Sequence, residues 1–199
     1  MRIDVEDLGV DMMTTSGHKF HGPNGTGFLY IRRGTLIEPL IHGGSQENGL
    51  RAGTENVPGI IGLAKAAEIS HRNLSSDINR MQKLRNYFID EALRIDGVTL
   101  NGSFLNRLCN NISITIDGVP AEAMLTMLDM GGISASSGSA CNSSDNHPSH
   151  VLTAIGLDEK RAGSTVRFTL SDETTQSEIE YAVEKLRRSV DDIRSIYGK

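Results

Sequence analysis

Tryptophan is absent from the 199 residues, and aromatic side chains as a whole make up 5%. So sparse a supply argues against a stacking platform for single-stranded nucleic acid. Positive charge is also short: 20 Lys and Arg against 25 Asp and Glu give a formal net charge of −5. With a pI near 5.7, a nucleic-acid-binding surface is disfavoured. No run of about 18 apolar residues occurs, so no membrane span is expected. The first residues, Met1-Arg2-Ile3-Asp4-Val5-Glu6-Asp7, lack an apolar signal core, and secretion is not expected. Cysteine is limited to Cys109 and Cys141. That is too few for a disulfide framework, and a reducing cytosol is the simplest compartment. What is present, 38% hydrophobic and 23% charged residues, is a globular composition. The length suits one large domain or two small ones.

The most informative stretch is Ser16-Gly17-His18-Lys19-Phe20-His21-Gly22-Pro23-Asn24-Gly25. One lysine lies between two histidines, with a glycine on either side. Lacking a Cβ, Gly17 and Gly22 would let a flat ligand approach the backbone. Ser16 and His18 offer donors for a phosphate beside the lysine. A partly desolvated lysine amine has a lowered pKa and attacks carbonyls, which is what a pyridoxal phosphate enzyme requires. The residues equally allow a plain reading: Pro23-Asn24-Gly25 is a turn signal, Phe28 to Arg32 reads as a strand, and Lys19 is then a solvated lysine before a hairpin. Two other ligand loops are excluded. No Gly-Lys-Ser/Thr is present for a P-loop, and Gly22, Gly25 and Gly27 do not fit G-x-G-x-x-G.

Along the chain, residues 4 to 14 alternate weakly and predict a strand leading into the lysine loop. His42 to Gly49 is glycine-rich and irregular. Either Thr54 or Asn56 can cap the helix that follows, with Pro58 in its first turn. The Thr54 hydroxyl is alternatively a phosphate ligand at that helix start. From Gly59 to about Ile95 the pattern is helical, as two helices or one long bent one. Leu74, Ile78, Met81, Leu84, Phe88 and Leu93 form its apolar stripe, and Arg80, Lys83 and Arg85 its polar face. Val98 to Leu100 and Asn111 to Ile116 predict strands, the latter with Ile112, Ile114 and Ile116 on one face. Cys109 reads as a buried small hydrophobe. Pro120 opens a helix that runs through Met130 to Gly131-Gly132.

Ser134 to Ser144 is serine-rich, lacks periodicity and contains Cys141, so the thiol is either a candidate nucleophile on a flexible loop or an incidental surface cysteine. His18, His21, His147 and His150 with the two cysteines fit no metal-binding spacing, so no structural metal is expected. A short helix spans Val151 to Ile155. Ser164 to Leu170 is the clearest strand, with Thr165, Arg167 and Thr169 on one face. Arg167 suits the carboxylate of an amino acid, or a salt bridge to a neighbouring acid. Thr175-Gln176-Ser177-Glu178 is a capping box. The last helix carries Ile179, Val183, Leu186, Val190, Ile193 and Tyr197 on its apolar stripe, with Lys185, Arg187, Arg188 and Arg194 as its solvated face.

Three segments, in this order, resemble cysteine desulfurases of the class V aminotransferase group. They are Ser16-Gly17-His18-Lys19 with His21-Gly22-Pro23-Asn24-Gly25-Thr26-Gly27, then Arg51-Ala52-Gly53-Thr54-Glu55-Asn56, then Ser136-Ser137-Gly138-Ser139-Ala140-Cys141. The resemblance runs from Met1 to about Tyr197 and covers the C-terminal half of a usual family member. It implies an α/β fold: residues 1–75 as part of a pyridoxal phosphate transferase large domain, and residues 76–199 as a small α+β domain carrying the catalytic loop. It implies pyridoxal 5'-phosphate as cofactor, held by Ser16, Gly17, His18 and Lys19, with Thr54 reaching the phosphate of the other subunit of a homodimer. Lys19 and Cys141 are then catalytic, and Arg167 binds the substrate carboxylate. The implied reaction takes sulfur from L-cysteine, leaving L-alanine and a Cys141 persulfide for a sulfur acceptor or iron–sulfur scaffold protein. A transient iron–sulfur cluster at Cys141 is the one metal role it admits. The absent half carries further phosphate donors, the ring that stacks on the cofactor and the acid that pairs with its pyridine nitrogen. The chain alone is therefore expected to bind cofactor poorly and to turn over little. Two other readings stay open: a non-catalytic docking module or one piece of a split enzyme, and a lyase or aminotransferase acting on another amino acid.

Overall fold

A computed structural model describes residues 1–138 and 149–197. The chain divides into two compact units, Met1–Ser75 and Ser76–Lys199.

The first unit is built on an antiparallel hairpin, β1 (Met12–Ser16) with β2 (Gly27–Ile31), in which Met12 pairs with Ile31 and Ser16 with Gly27. The strand expected over residues 4–14 is confined to its end. Residues 4–9 instead form turns, with Leu8 N–H donating to the Asp4 carbonyl and Asp4 Oδ1 accepting from Glu6 N–H. Such local side-chain bonds compete with a ladder. Arg32 then clamps the turn, donating to both Glu6 carboxylate oxygens at 2.8 and 2.9 Å and to the carbonyls of Val5 and Val10. Its guanidinium is held above the ordinary arginine range chiefly by that Glu6 hydrogen bond.

Helix α1 (Val57–Ala92) is one continuous element that begins in the first unit and ends in the second. Asn56 caps it: its Oδ1 accepts from Gly59 N–H at 3.2 Å, and its carbonyl accepts from Ile60 N–H at 2.9 Å. The cap therefore belongs to Asn56 and not to Thr54.

The second unit is a three-stranded antiparallel sheet in the order β3 (Val98–Leu100), β4 (Asn111–Ile116), β5 (Thr165–Thr169). Alternation along β4 sends Ile112, Ile114 and Ile116 into the core at 0% exposure, where β5 adds Val166 and Phe168. Burying an isoleucine is worth roughly 1.5–3 kcal/mol, so this one face contributes substantially to the fold. The C-terminal part of α1, with α2 (Ala121–Met130) and α5 (Gln176–Tyr197), completes the same core through Phe88, Met124, Leu128, Leu186 and Val190. Phe88 and Phe168 rings meet at 4.8 Å with a 48° tilt. Two short helices, α3 (His150–Ala154) and α4 (Glu159–Ala162), precede β5. α4 has no counterpart in the sequence reading. Its cap, Asp158 Oδ1 accepting from Arg161 N–H at 2.8 Å, was a legible signal.

Several expectations are corrected here. Arg85 is 2% exposed and does not lie on a solvated face. It donates to Asn86 Oδ1 and to the carbonyls of Arg107 and Leu108, which meet its charge with fixed dipoles. Leu93, placed on the apolar stripe, is 43% exposed because the helix ends at Ala92. Arg194 ties the carbonyls of Asp96 and Asp117 at 2.9 Å each. Cys109 is half-buried rather than buried. The capping box stands as read: Glu178 Oε2 accepts from Thr175 N–H at 2.8 Å, and Thr175 Oγ1 accepts from Glu178 N–H at 3.3 Å.

Candidate active site

In the first unit, Lys19 sits in a single 3-10 turn, Gly17–Phe20, directly after β1. The turn is closed by His21, which adopts a left-handed conformation (φ 65°), and by Gly22 N–H donating to the Gly17 carbonyl at 2.9 Å. Ser16, His18 and Lys19 are exposed. Among the described residues none of these three side chains makes a hydrogen bond or ion pair. The desolvation expected to activate Lys19 is thus not supplied by residues 1–75 themselves. Gly17 departs from its expected role. It is buried, and a Cβ there would lie 2.8 Å from Thr26 Oγ1 and 2.9 Å from Leu63 Cδ1. Its missing side chain makes room for the chain's own Thr26 and Leu63, not for a ligand.

Because Asn56 takes the cap, the Thr54 side chain is uncommitted and exposed, three residues before α1. Arg51 shapes this approach by donating to the carbonyls of Ala52, Gly53 and Thr54, the Gly53 bond at 2.6 Å. The result is a hydroxyl held near a helix start with no internal partner among the described residues, an arrangement suited to an anion.

In the second unit, Arg167 lies on β5 opposite Ser113 of β4, on the sheet face away from the core. On its other side Ser136 forms a bridge, donating N–H to the Arg167 carbonyl at 3.0 Å and accepting from Arg167 N–H at 2.7 Å. Arg167 therefore stands between two serines. It lines a cleft of about 470 Å³ whose walls also include Asn101, Arg107, Ser113 and His150, with no carboxylate among the described residues. Among the described residues Arg167 has no acidic partner, so the salt-bridge alternative is not realised there. A half-buried guanidinium in a cleft with no acid among its described lining residues is suited to receive a carboxylate.

The floor of this cleft is a network that the sequence reading did not single out. Asn101 (5% exposed) accepts from Thr115 Oγ1 at 2.9 Å and donates to Ser113 Oγ at 3.2 Å. Thr115 and Thr165 hydroxyls lie 2.8 Å apart, and Thr165 Oγ1 donates to the Arg161 carbonyl at 2.9 Å. The signal was the polar alternate positions of β4 and β5. Their pattern shows a second face but not that the face is covered. Arg107 forms one wall, donating to the Ser103 carbonyl, Asn111 Oδ1 and the Asn101 carbonyl. Burial, and then the neighbouring Arg85 charge, hold its pKa below the ordinary arginine range.

Cys141 and His147, and the side chain of Tyr197, lie outside the described residues. The residues that flank the cysteine segment are described. Gly138 before it and Ser149 after it both line the Arg167 cleft. Among the described residues no helix is long and apolar enough to cross a membrane.

The profile of the aminotransferase class-V family matches residues 1–182. The chain is 49% identical over 195 residues to a protein named cysteine desulfurase IscS from Dictyoglomus turgidum, covering 98% of this chain and 50% of that protein. It is 43% identical to a protein of the same name from Methanosarcina thermophila, covering 98% and 48%. Among solved structures, a NifS-like protein superposes with a TM-score of 0.85 at 36% identity, covering 94% of this chain and 48% of that one. The chain spans about half the length of the curated relatives it matches.

Proposed function

The chain belongs to the aminotransferase class-V family, and from that premise we propose that it is the C-terminal half of a pyridoxal-phosphate-dependent cysteine desulfurase. The observation that carries this reading is that both residues bounding the Cys141 segment, Gly138 and Ser149, line the same cleft as Arg167. That placement of the two flanks supports a shared role for Cys141 and Arg167.

The donor set fits the cofactor: among the described residues the Lys19 amine and the phosphate donors Ser16, His18 and Thr54 have no side-chain partner. Lys19 would hold pyridoxal phosphate covalently, with Ser16 and His18 on its phosphate and Thr54 serving the phosphate of the second subunit of a homodimer. Gly17 serves through packing alone, since its Cβ direction is filled. When bound, the cofactor supplies an electron sink for bond breaking next to the substrate amine.

Each remaining role falls to a side chain of this protein. Arg167 clamps the carboxylate of L-cysteine through two parallel hydrogen bonds and so fixes the amino acid's orientation. The Lys19 amine moves the Cα proton. The Cys141 thiolate receives the sulfur. The change balances without an external oxidant: the substrate C–S bond breaks, an S–S bond forms on Cys141, and hydrogen replaces sulfur on carbon to give L-alanine. The persulfide then passes to a sulfur acceptor or iron–sulfur scaffold protein, and a transient iron–sulfur cluster at Cys141 belongs to that hand-over. Two cysteines in 199 residues suit a reducing cytosol.

A second reading is that the chain is one piece of a split enzyme and is inactive alone. The test is to supply L-cysteine and pyridoxal phosphate to the chain, alone and together with the polypeptide its relatives carry in addition, and to measure alanine and persulfide. Alanine is expected with both pieces and little without the second. It should vanish in Lys19→Ala, and the persulfide should vanish in Cys141→Ala. Alanine output unchanged by Cys141→Ala would instead support a lyase or aminotransferase. Binding to a scaffold protein with no turnover in any combination would support a docking module.

A further inference from the structure

The cleft that holds Arg167 lies within the second unit, and a second guanidinium, that of Arg107, lines it as well. Sheet register brings the two close together. Asn111 and Ser113 lie two residues apart on β4, so they share its outer face, opposite Thr169 and Arg167 of β5 respectively. Arg107 Nη1 donates to Asn111 Oδ1 at 2.8 Å, which anchors that guanidinium one position along the face from Arg167. Diagonal neighbours on one face of an antiparallel pair are roughly 7–8 Å apart.

Among the described residues neither cation has an acidic partner. Arg107 spends N–H donors only on neutral acceptors, the carbonyls of Ser103 and Asn101 and the Asn111 side chain, which leaves one N–H on each Nη unspent. The Arg167 side chain makes no hydrogen bond there, and none of the described lining residues is a carboxylate. Behind Arg107 stands Arg85, 2% exposed, whose Nη1 donates to the Arg107 and Leu108 carbonyls. Like charges gathered and partly desolvated in this way are unfavourable until an anion joins them. Burial and the Arg85 charge both weigh on Arg107 in that sense.

The cleft is also roomier than one carboxylate requires. Its volume of about 470 Å³ falls within the roughly 300–1,000 Å³ of small-molecule sites and exceeds what an amino acid the size of cysteine fills. Leu108, Val151 and Ile155 add apolar surface to the two arginines. Two cations and apolar side chains in one cleft suit a short carbon chain with an acid at each end.

We propose that Arg107 forms a second anion subsite in the Arg167 cleft, so that the ligand class the cleft takes best is a small molecule with two acidic groups a few carbons apart. The inference rests on Arg167 as the carboxylate receptor of the proposed function and adds a ligand class to that site. For an amino acid seated on Arg167, the Arg107 end receives an acidic side chain.

The test titrates the full 199-residue chain, without pyridoxal phosphate, with glutarate and with glutaramate by isothermal calorimetry at low salt. The two probes share a shape, and glutaramate carries an amide in place of one carboxylate. Glutarate should bind at least tenfold more tightly, and the ratio should shrink at high salt, where charge pairs are screened. Arg107→Gln should bring glutarate to within about twofold of glutaramate. Leu108→Glu changes an exposed residue of the cleft that takes no part in the Arg107 side-chain bonds. It supplies an internal acid and should cut glutarate affinity at least fivefold, which decides the matter even where Arg107→Gln does not fold. Arg167→Gln should weaken both probes. Equal affinity for the two probes, no binding of either, or a glutarate preference that survives either cleft variant in folded form overturns the second subsite. Binding of both probes that is insensitive to Arg167→Gln overturns instead the carboxylate-receptor reading beneath it, and the second subsite falls with it.

Discussion

Removing the Asn101 side chain tests how the Arg167 cleft is built. Asn101→Ala deletes two well-formed bonds, to Thr115 Oγ1 at 2.9 Å and Ser113 Oγ at 3.2 Å, and a marginal one to Thr165 Oγ1 at 3.5 Å. Each good buried bond nets about 0.5–1.5 kcal/mol. Thr115 keeps Thr165 as a partner at 2.8 Å and Ser113 is only half-buried, so no buried hydroxyl is orphaned and the larger desolvation penalty does not apply. The expected loss is about 2 kcal/mol. For a unit of this size that lowers the melting temperature by roughly 6–10 °C. The assay is urea and thermal unfolding of the whole chain followed by far-UV circular dichroism. A double-mutant cycle with Thr115→Val isolates the shared bond and should give a coupling of about 1 kcal/mol. Because Ser113 faces Arg167 across the sheet, the same change should raise KM for L-cysteine in the assembled enzyme more than it lowers kcat. Costs that add to within about 0.3 kcal/mol, or a melting temperature within about 1 °C of the parent, would refute the network as the cleft's support.

Asn56→Ala should destabilise by about 1 kcal/mol in urea titration, as loss of a helix cap does, whereas Thr54→Ala should leave stability unchanged and weaken pyridoxal phosphate affinity in the assembled enzyme. Phe168→Ala, at 4% exposure against Phe88, should cost about 3–5 kcal/mol by the same titration. The Glu178 carboxyl is held below the ordinary carboxylate range, first by the Thr175 N–H and then by the Thr175 hydroxyl. Its depressed folded-state pKa means that the charged cap contributes above the ordinary carboxylate range and is lost as pH falls through the folded value. The difference in melting temperature between parent and Glu178→Gln should therefore be present at neutral pH and close on acidification.

Much of the second unit was legible because its signals are local. Ile112, Ile114 and Ile116 alternate, and α5 repeats Ile179, Val183, Leu186, Val190 and Ile193 at helical spacing. A period of two or of 3.6 tells which side of an element is apolar before any neighbour is known. Thr175 and Glu178 announce their helix start within four residues. Residues 4–9 misled because weak alternation says nothing of Arg32, which reaches back to Glu6 from the far end of β2. Arg85 misled for a related reason. A charged residue on a helix is read as solvated until the carbonyls of Arg107 and Leu108 appear beside it.

The sequence alone determined the residue types of the chemistry: a lysine between Ser16-Gly17-His18 and Phe20, a threonine just before a helix, a cysteine among serines and an arginine on a strand. It also determined the family, because three separate motifs stand in one order. Tertiary structure decided which of these side chains are free to act. Whether Asn56 or Thr54 caps α1 depends on which oxygen meets the Gly59 N–H. Whether Gly17 admits a ligand depends on where Thr26 and Leu63 lie. Whether Arg167 has an acid beside it depends on strands β4 and β5 coming into register across some fifty intervening residues. Side-chain chemistry is a property of the residue, but its availability is set by neighbours distant in sequence, and those exist only once the chain has folded.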